Sequence, residues 1–485
     1  MKKDINRREF LQQTAAAGLL SLGSPHILAF AANPAKTESA SPVWQRTNVK
    51  VACLYMAHSS DTPSWGGLWP KPDLDLKKEI DFYKSEFAKL RDQIADVDFV
   101  VNQLVTHPSQ VQQLREKLQT VDGILVIHLN LGIMPILEEI LKLSQPTMVF
   151  AVPYSGHEWV EFGKLRKQQL GGKMDCLLTS DYSQLALAIK PFRAIRHLKD
   201  SKILDLSTYL PVDYTKAIKD KFGTEIKQIE LNRMLDIYNS IDDKLAKKEA
   251  DLWIKKAGKV IEPSKDEIFK SCKLALAFEK MLRQQKANVM TVDCYGSMYH
   301  KLPAFPCIGE TRLNDMGLGG ICESDLPCAI THLIFQGLTG RPSFISDPTM
   351  DVSKNAIYLA HCLGSTRMDG PDKPPASYKL RSIAERQEGA VPQVKMRIGQ
   401  KVTQAILVET DSMPYFTGEI VDAPVDIRFD RGCRTKILVK IDGDAGKLWQ
   451  NWRGDLHRQT CYGDVTKELG YFSRFKGIKM VNEAI

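Results

Sequence analysis

Apolar runs alternate with amphipathic segments from Asn48 to about Asp181. "VKVACLYMA", "VDFVVNQLV", "VDGILVIHL", "PTMVFAVPY" and "KMDCLLTSD" read as buried strands. "DLKKEIDFYKSEFAKLRDQIA", "HPSQVQQLREKLQ" and "IMPILEEILKLS" space their apolar residues as helices do. Strict strand–helix alternation predicts a parallel sheet covered on both faces. No GxGxxG is present, so a dinucleotide site has no support here.

A second alternating unit follows. "SKILDLSTYL", "TEIKQIELN" and "NVMTVDCYG" read as strands, and two long helices are expected before the third, in "RMLDIYNSIDDKLAKKEADLWIKKAGKVI" and "KDEIFKSCKLALAFEKMLRQQ". Next comes "GGICESDLPCAITHLIFQGLTGRPSFISDP", a strand ending near Glu323, a helix, and a strand ending at Asp347. Ser324 or Asp325 caps that helix, Pro327 sits in its first turn, and Gly340 with Pro342 ends it. Beyond the proline-rich "GPDKPPASYKLRS" the pattern turns β-rich, in "QVKMRIGQKVTQAILVET", "YFTGEIVDAP" and "RTKILVKID". The expected fold class is α/β, with Rossmann-like parallel-sheet domains at 48–190 and 191–372 and a β-barrel-like C-terminal domain at 373–485.

Length and charge narrow the classes. A chain of 485 residues exceeds one core, and its 43% hydrophobic content is that of a soluble globular protein. No run of eighteen apolar residues predicts a membrane span. The net charge of +8 is spread among acids, as in "DDKLAKKEADLWIKK", which describes a solvated helix face rather than a nucleic-acid surface. At the N-terminus, Arg7 and Arg8 precede Phe10, Leu11 and an Ala-rich apolar stretch, with Ala29-Phe30-Ala31 as a cleavage site. This is the pattern of a twin-arginine export signal at 1–31, followed by a polar linker at 32–47. It implies the export machinery as a partner and a periplasmic or secreted mature chain. The ten cysteines show no disulfide framework and sit mostly in apolar runs, as small core residues do. Those at 294, 307, 322, 328 and 362 also crowd the region of Glu323, although no CxxC spacing marks a zinc site.

Glu323 and Asp347 are one strand–helix–strand step apart. A right-handed crossover would make their strands parallel members of one sheet, neighbours about 4.8 Å apart, with both acids at the carboxyl edge where open α/β sheets bind ligands. Two carboxylates so placed call for a hard divalent cation between them. His361 in "NAIYLAHCLGS" and His457 in "NWRGDLHRQTCYGD" are candidate further ligands. His58, Trp65 and Trp69 lie in the Gly/Pro-rich loop "HSSDTPSWGGLWPKPD", whose tryptophans suit the apolar face of a sugar or else anchor their own loop.

"MGLGGICESDLPCAITHLIFQGLTGRPSFISDP", "LAHCLGS" and "DLHRQTCYGDVTKELGYFSRFKGIKMVNE" together resemble segments of the L-fucose/L-arabinose isomerase family. The resemblance implies Glu323, Asp347 and His457 as metal ligands, His361 as a ligand of the arabinose branch, and Glu323 with Asp347 as the acid/base pair. It implies Mn2+ (or Mg2+ or Fe2+), a sugar substrate interconverted through an enediolate, and a homo-oligomer in which an aromatic from a neighbouring subunit completes the site. Asn451, at the head of the His457 stretch, is placed with His58, Trp65 and Trp69 on the substrate side. Two rivals share these residues: an exported carbohydrate-binding protein without catalysis, and a keto-sugar lyase or epimerase.

Overall fold

The computed structural model describes residues 48–58, 69–71, 74–424 and 431–485; the expected signal, the linker and Trp65 lie outside them. The first unit is a five-stranded parallel sheet in the order β2-β1-β3-β4-β5. Its strands are β1 (Val49–Met56), β2 (Val97–Val105), β3 (Gly123–His128), β4 (Thr147–Ala151) and β5 (Met174–Leu178). Alternate residues feed two separate cores. Val51, Tyr55, Leu125, Ile127 and Phe150 pack on one face, and Ala52, Leu54, Ile124, Val126 and Val149 on the other. Helices cover both faces, which is why the inner strands β1, β3 and β4 read as apolar runs, whereas the edge strand β2, expected to be buried, leaves Asp98, Asn102 and Gln103 exposed.

The helix Gln184–Asp200 leads into a four-stranded parallel sheet of β6 (Lys202–Leu206), β7 (Glu225–Gln228), β8 (Val289–Val292) and β9 (Gly319–Cys322), ordered β7-β6-β8-β9. The first of the two long helices expected here is in fact two, Leu231–Asn239 and Asp243–Lys256. Asp242 breaks the pattern: its carboxylate accepts from the Lys244 and Leu245 amides and starts a new helix.

The third unit is a closed ring. Its strands are β10 (Phe344–Asp351), β11 (Ala356–His361), β14 (Lys401–Ala405), β15 (Ser412–Asp422), β16 (Thr435–Ile441), β17 (Arg458–Tyr462) and β18 (Lys479–Asn482), with β12 (Tyr378–Arg381) and β13 (Val391–Val394) forming a separate hairpin. The order β14-β17-β10-β11-β16-β15 closes through β14–β15, so the six strands leave no free edge, and β18 adds to β15 in parallel. The α/β class with parallel-sheet units and a barrel-like C-terminal unit is therefore what the chain adopts.

One expectation fails. β9 and β10 do not share a sheet: β9 ends the second parallel sheet, whereas β10 runs antiparallel to β11 and β17 in the barrel. The free edge of β9 is already occupied. Asn314 donates its amide to the Gly320 carbonyl at 2.9 Å and accepts from the Gly320 amide at 2.8 Å, standing in for a neighbouring strand. Gly320 permits this, because a Cβ there would fall 2.2 Å from the Glu310 carbonyl oxygen. β10 and β11 thus belong to the barrel, although they lie before the boundary expected at 372. A continuous core joins the two units through Ile321, Leu333, Ile345, Leu407 and Phe472, all buried. Each such side chain contributes roughly 1.5–3 kcal/mol, enough to hold sheet and barrel in fixed register. Among the described residues no helix is long and apolar enough to cross a membrane.

Candidate active site

At the end of β9 the chain turns with two consecutive non-glycine residues in the left-handed region, Glu323 (φ 59) and Ser324 (φ 51). Such a pair costs on the order of 1 kcal/mol per residue and persists only where its surroundings fix it. They do so here. Ser324 donates to Asp205 at 2.6 Å, and Asp325 caps the helix Leu326–Thr339 by accepting from the Cys328 amide at 2.8 Å. The turn carries the Glu323 side chain to the barrel.

Barrel register supplies the partners. Asp347 pairs with Ala360 across β10–β11, one residue from His361, and Ser346 pairs with Arg458 across β10–β17, one residue from His457. Three neighbouring strands thus deliver Asp347, His361 and His457 to one end of the barrel. His457 Nε2 lies 3.1 Å from Asp347 Oδ1 and 3.8 Å from Glu323 Oε2, and His361 Nε2 lies 3.8 Å from Glu323 Oε1. The two imidazoles meet edge to face at 5.3 Å. Four residues from sheet and barrel converge, as the sequence suggested, but by a route the sequence did not show.

Electrostatics divides them. Burial raises the pKa of the Glu323 carboxyl, with help from Asp347, Asp325 and Asp293 and against the pull of His457. Burial works in the same direction on Asp347, but the His457 hydrogen bond and the two imidazoles outweigh it and hold Asp347 low. For His457 burial disfavours the cation, yet the hydrogen bonds to Asp325 and Asp347 and the Glu323 charge lift it to about 10. His361 goes the other way, to about 4, through burial and the charge of His457. The cluster therefore demands positive charge at its centre.

A metal's fit is tested by unsatisfied atoms. His361 is 1% exposed, and neither ring nitrogen has a hydrogen-bond partner. A buried imidazole left so costs roughly 1–3 kcal/mol unless something binds it. One ligand atom each from Asp347, His361 and His457 lies within 4.8 Å of the others, and Glu323 borders both histidines. A mixed imidazole–carboxylate set of this kind has ligands suited to Fe2+ in its imidazoles and to Mn2+ in its carboxylates. Asp325 completes the arrangement by holding His457 Nδ1 at 3.2 Å, which turns Nε2 to Asp347 and Glu323, as carboxylates orient metal-binding histidines generally.

No family model matches the chain. Two curated proteins are similar to it, both called sulfoquinovose isomerase. That of Clostridium sp. (strain MSTE9) is 25% identical over 215 residues, covering 41% of this chain and 44% of that protein. That of Alkalicoccus urumqiensis is 20% identical over 316 residues, covering 60% of this chain and 67% of its own length. The similarity is distant, and its first alignment spans under half of the relative.

The remaining sequence candidates lie elsewhere. Trp69 donates its indole N–H to the Tyr154 carbonyl at 3.0 Å and meets His157 edge-on, and the His58 amide donates to Asn130. Both sit near the carboxyl edge of the first sheet. Asn451 donates to the Glu483 carbonyl at 3.1 Å, beside the buried Arg458–Glu483 pair. Among the described residues no hydrogen bond, ion pair or ring contact joins Trp69 or Asn451 to the cluster.

Two residues of the site lie outside the expected set. Asp325, expected as a helix cap, also holds His457. Glu310, on the helix Cys307–Asp315, is fully buried with neither carboxyl oxygen hydrogen-bonded. Burial and the Glu323 charge, eased by the Cys322 thiol beside it, lift it to about 8.

Proposed function

We propose that this chain is a metal-dependent sugar isomerase that interconverts an aldose and a ketose through an enediolate. The observation that carries the reading is the convergence of Glu323, Asp347, His361 and His457, from four separate segments, on one buried point. Both relatives bear the name of a sugar isomerase, which supports the reaction class. Glu323, Asp347, His361 and His457 would hold the metal, which when bound would polarise the sugar carbonyl and stabilise charge developing on its oxygen.

The residues divide the rest of the work. Glu323 reaches the site from the sheet and Asp347 from the barrel, both within 3.8 Å of His457 Nε2. A sugar seated between sheet and barrel has a carboxylate from each. One takes the proton from the carbon beside the carbonyl, and the other returns a proton to the neighbouring carbon. Asp325 positions His457, and the Ser324–Asp205 bond holds the strained turn that aims Glu323. On the substrate side we place His58, Trp65, Trp69 and Asn451, reached from a second subunit of a homo-oligomer where they lie apart from the cluster. The Arg7-Arg8 stretch makes the mature chain an exported one in this reading, and lysine at both positions should retain precursor in the cytoplasm.

The experiment is incubation of the Mn2+-loaded chain in D2O with a panel of aldoses and ketoses, a sulfonated hexose first among them. Deuterium entering beside the carbonyl together with the isomeric sugar supports the proposal. Exchange with a cleaved or epimeric product moves it to a lyase or epimerase. Binding of a sugar without any exchange overturns it in favour of a carbohydrate-binding protein.

A further inference from the structure

A second group of donors lies beside this cluster, and isomerisation leaves it unused. Cys362 follows His361 at the end of β11, Cys433 precedes β16, and Glu385 lies in the segment between β12 and β13. β11 and β16 are paired neighbours with His361 opposite Thr435, so both thiols leave adjacent strands at one end of the barrel. Their sulfurs stand 3.6 Å apart, and Glu385 Oε1 is 3.8 Å from Cys433 Sγ. One ligand atom from each of the three lies within 4.8 Å of the others.

The spacing discriminates between uses of two cysteines. A disulfide needs its sulfurs at about 2.05 Å, and here both thiols are free. Two thiolates on a tetrahedral zinc, each about 2.3 Å from it, stand about 3.8 Å from one another, and a thiolate and a carboxylate oxygen stand about 3.6 Å apart. The observed separations fall within a few tenths of an ångström of both. Access also fits: Cys362 is buried, Cys433 half-buried and Glu385 exposed, so a cation can enter from the Glu385 side. The fourth position has a candidate in Asp347, whose Oδ2 is 3.9 Å from Cys433 Sγ.

We propose that Cys362, Cys433 and Glu385 form a binding site for a thiophilic divalent cation of the zinc class, adjoining the carboxylate–imidazole site through Asp347. Thiolates favour zinc over manganese or magnesium, so the two sites sort metals by ligand softness. Binding deprotonates both thiols and releases their protons to solvent.

The test is a cobalt and zinc titration of the full chain, stripped of metal under reducing conditions. A thiolate-to-cobalt charge-transfer band in the near ultraviolet should saturate by two equivalents, one for each proposed site, and be bleached by zinc. Zinc should also protect Cys433 from alkylation in the unaltered chain, a readout that needs no variant. Cys362→Ser and Cys433→Ser, each checked for native circular dichroism, should abolish the band, and Glu385→Gln should weaken zinc by about tenfold. Glu323→Gln should keep the band, which separates this site from the proposed isomerase centre: loss of isomerase activity with the band intact leaves the inference standing. Cobalt binding without a thiolate band, unprotected Cys433, or a purified chain in which Cys362 and Cys433 are found joined and bind no metal after reduction would overturn it.

Discussion

Two histidine–carboxylate groups in this molecule look alike in composition and behave oppositely. At the carboxyl edge of the first sheet, His128 bonds Ser155 Oγ through Nδ1 at 2.7 Å and Glu158 through Nε2 at 2.8 Å. The other Glu158 oxygen accepts the Gly132 and Ile133 amides, and Ser155 Oγ is also 2.8 Å from the Val152 carbonyl. Every polar atom there has a partner. At the sheet–barrel junction His361 has no hydrogen-bond partner for either nitrogen, and Glu310, packed against Gly320 of β9, has none for either oxygen. A satisfied buried network fixes a fold, whereas an unsatisfied one stores free energy that a ligand can recover. Each group includes a residue at the carboxyl end of a parallel strand, His128 of β3 and Glu323 after β9, so position alone would not have told them apart.

The sharpest way to break the comparison is at the carboxylates. Glu323→Gln and Asp347→Asn should each lower turnover by about 10³-fold or more, because an amide takes no proton and binds a divalent cation poorly. Folding should survive, since volume is conserved. The double variant should be little worse than either single one, as for groups acting as a unit. Deuterium exchange into the sugar reads the chemical step directly, and a variant retaining full exchange removes that residue from the mechanism. Chelation of the unaltered chain should produce the same loss, reversed by Mn2+. His361→Leu should lower metal affinity by roughly 100-fold in equilibrium dialysis while raising stability in the metal-free state, because it removes the unpartnered polar atoms.

Glu310 sharpens the contrast through pH. Its folded-state pKa, about 8, stands above the ordinary 4.5, so the folded chain holds a proton that the unfolded chain releases. That contribution to stability is complete below pH 4.5 and is lost as pH rises through about 8. Glu310→Gln keeps the protonated shape at every pH. In denaturant titrations of the metal-free protein it should therefore exceed the unaltered chain by a few kcal/mol at pH 8 and match it near pH 4.5. Equal stability at both pH values would show that Glu310 ionises freely where it lies. The satisfied group predicts the reverse sign: His128→Asn should lose roughly 1–3 kcal/mol at neutral pH while leaving metal content per chain unchanged.

These contrasts also show what a sequence can carry. The first sheet was readable because helices cover both its faces, so its inner strands β1, β3 and β4 are mostly apolar runs bounded by helices. Glu323, Asp347, His361 and His457 were readable as residue types, since acids and histidines interrupting apolar runs stand out. Their meeting place was not. Which edge of β9 is free depends on Asn314, whose amide imitates a strand through two hydrogen bonds that no periodicity encodes. Closure of the barrel depends on the β14–β15 pairing, which joins segments whose own patterns say only that they are strands. Glu310 was hidden for a related reason: acids in the helical stretch "CIGETRLND" look like a solvated face, and packing of that helix on Gly320 of β9 buries Glu310.

The smallest expected effect concerns Trp69, which lies with the first of the two regions. Its indole is 43% exposed, held by one hydrogen bond to Tyr154 and by the His157 edge. An exposed aromatic held so lightly contributes little to folding, about 0.5–1 kcal/mol at most. If it walls a neighbouring subunit's sugar site, Trp69→Ala should raise KM several-fold with kcat and Tm almost unchanged, because stacking on a sugar face acts equally on substrate and transition state. If it serves only its own loop, Tm should fall and KM should not move. Mixing Trp69→Ala with Asp347→Asn chains separates the cases further. Each hybrid interface then pairs an intact carboxylate site with either wall, and the intact-wall interfaces should recover the low KM only when the tryptophan acts across subunits.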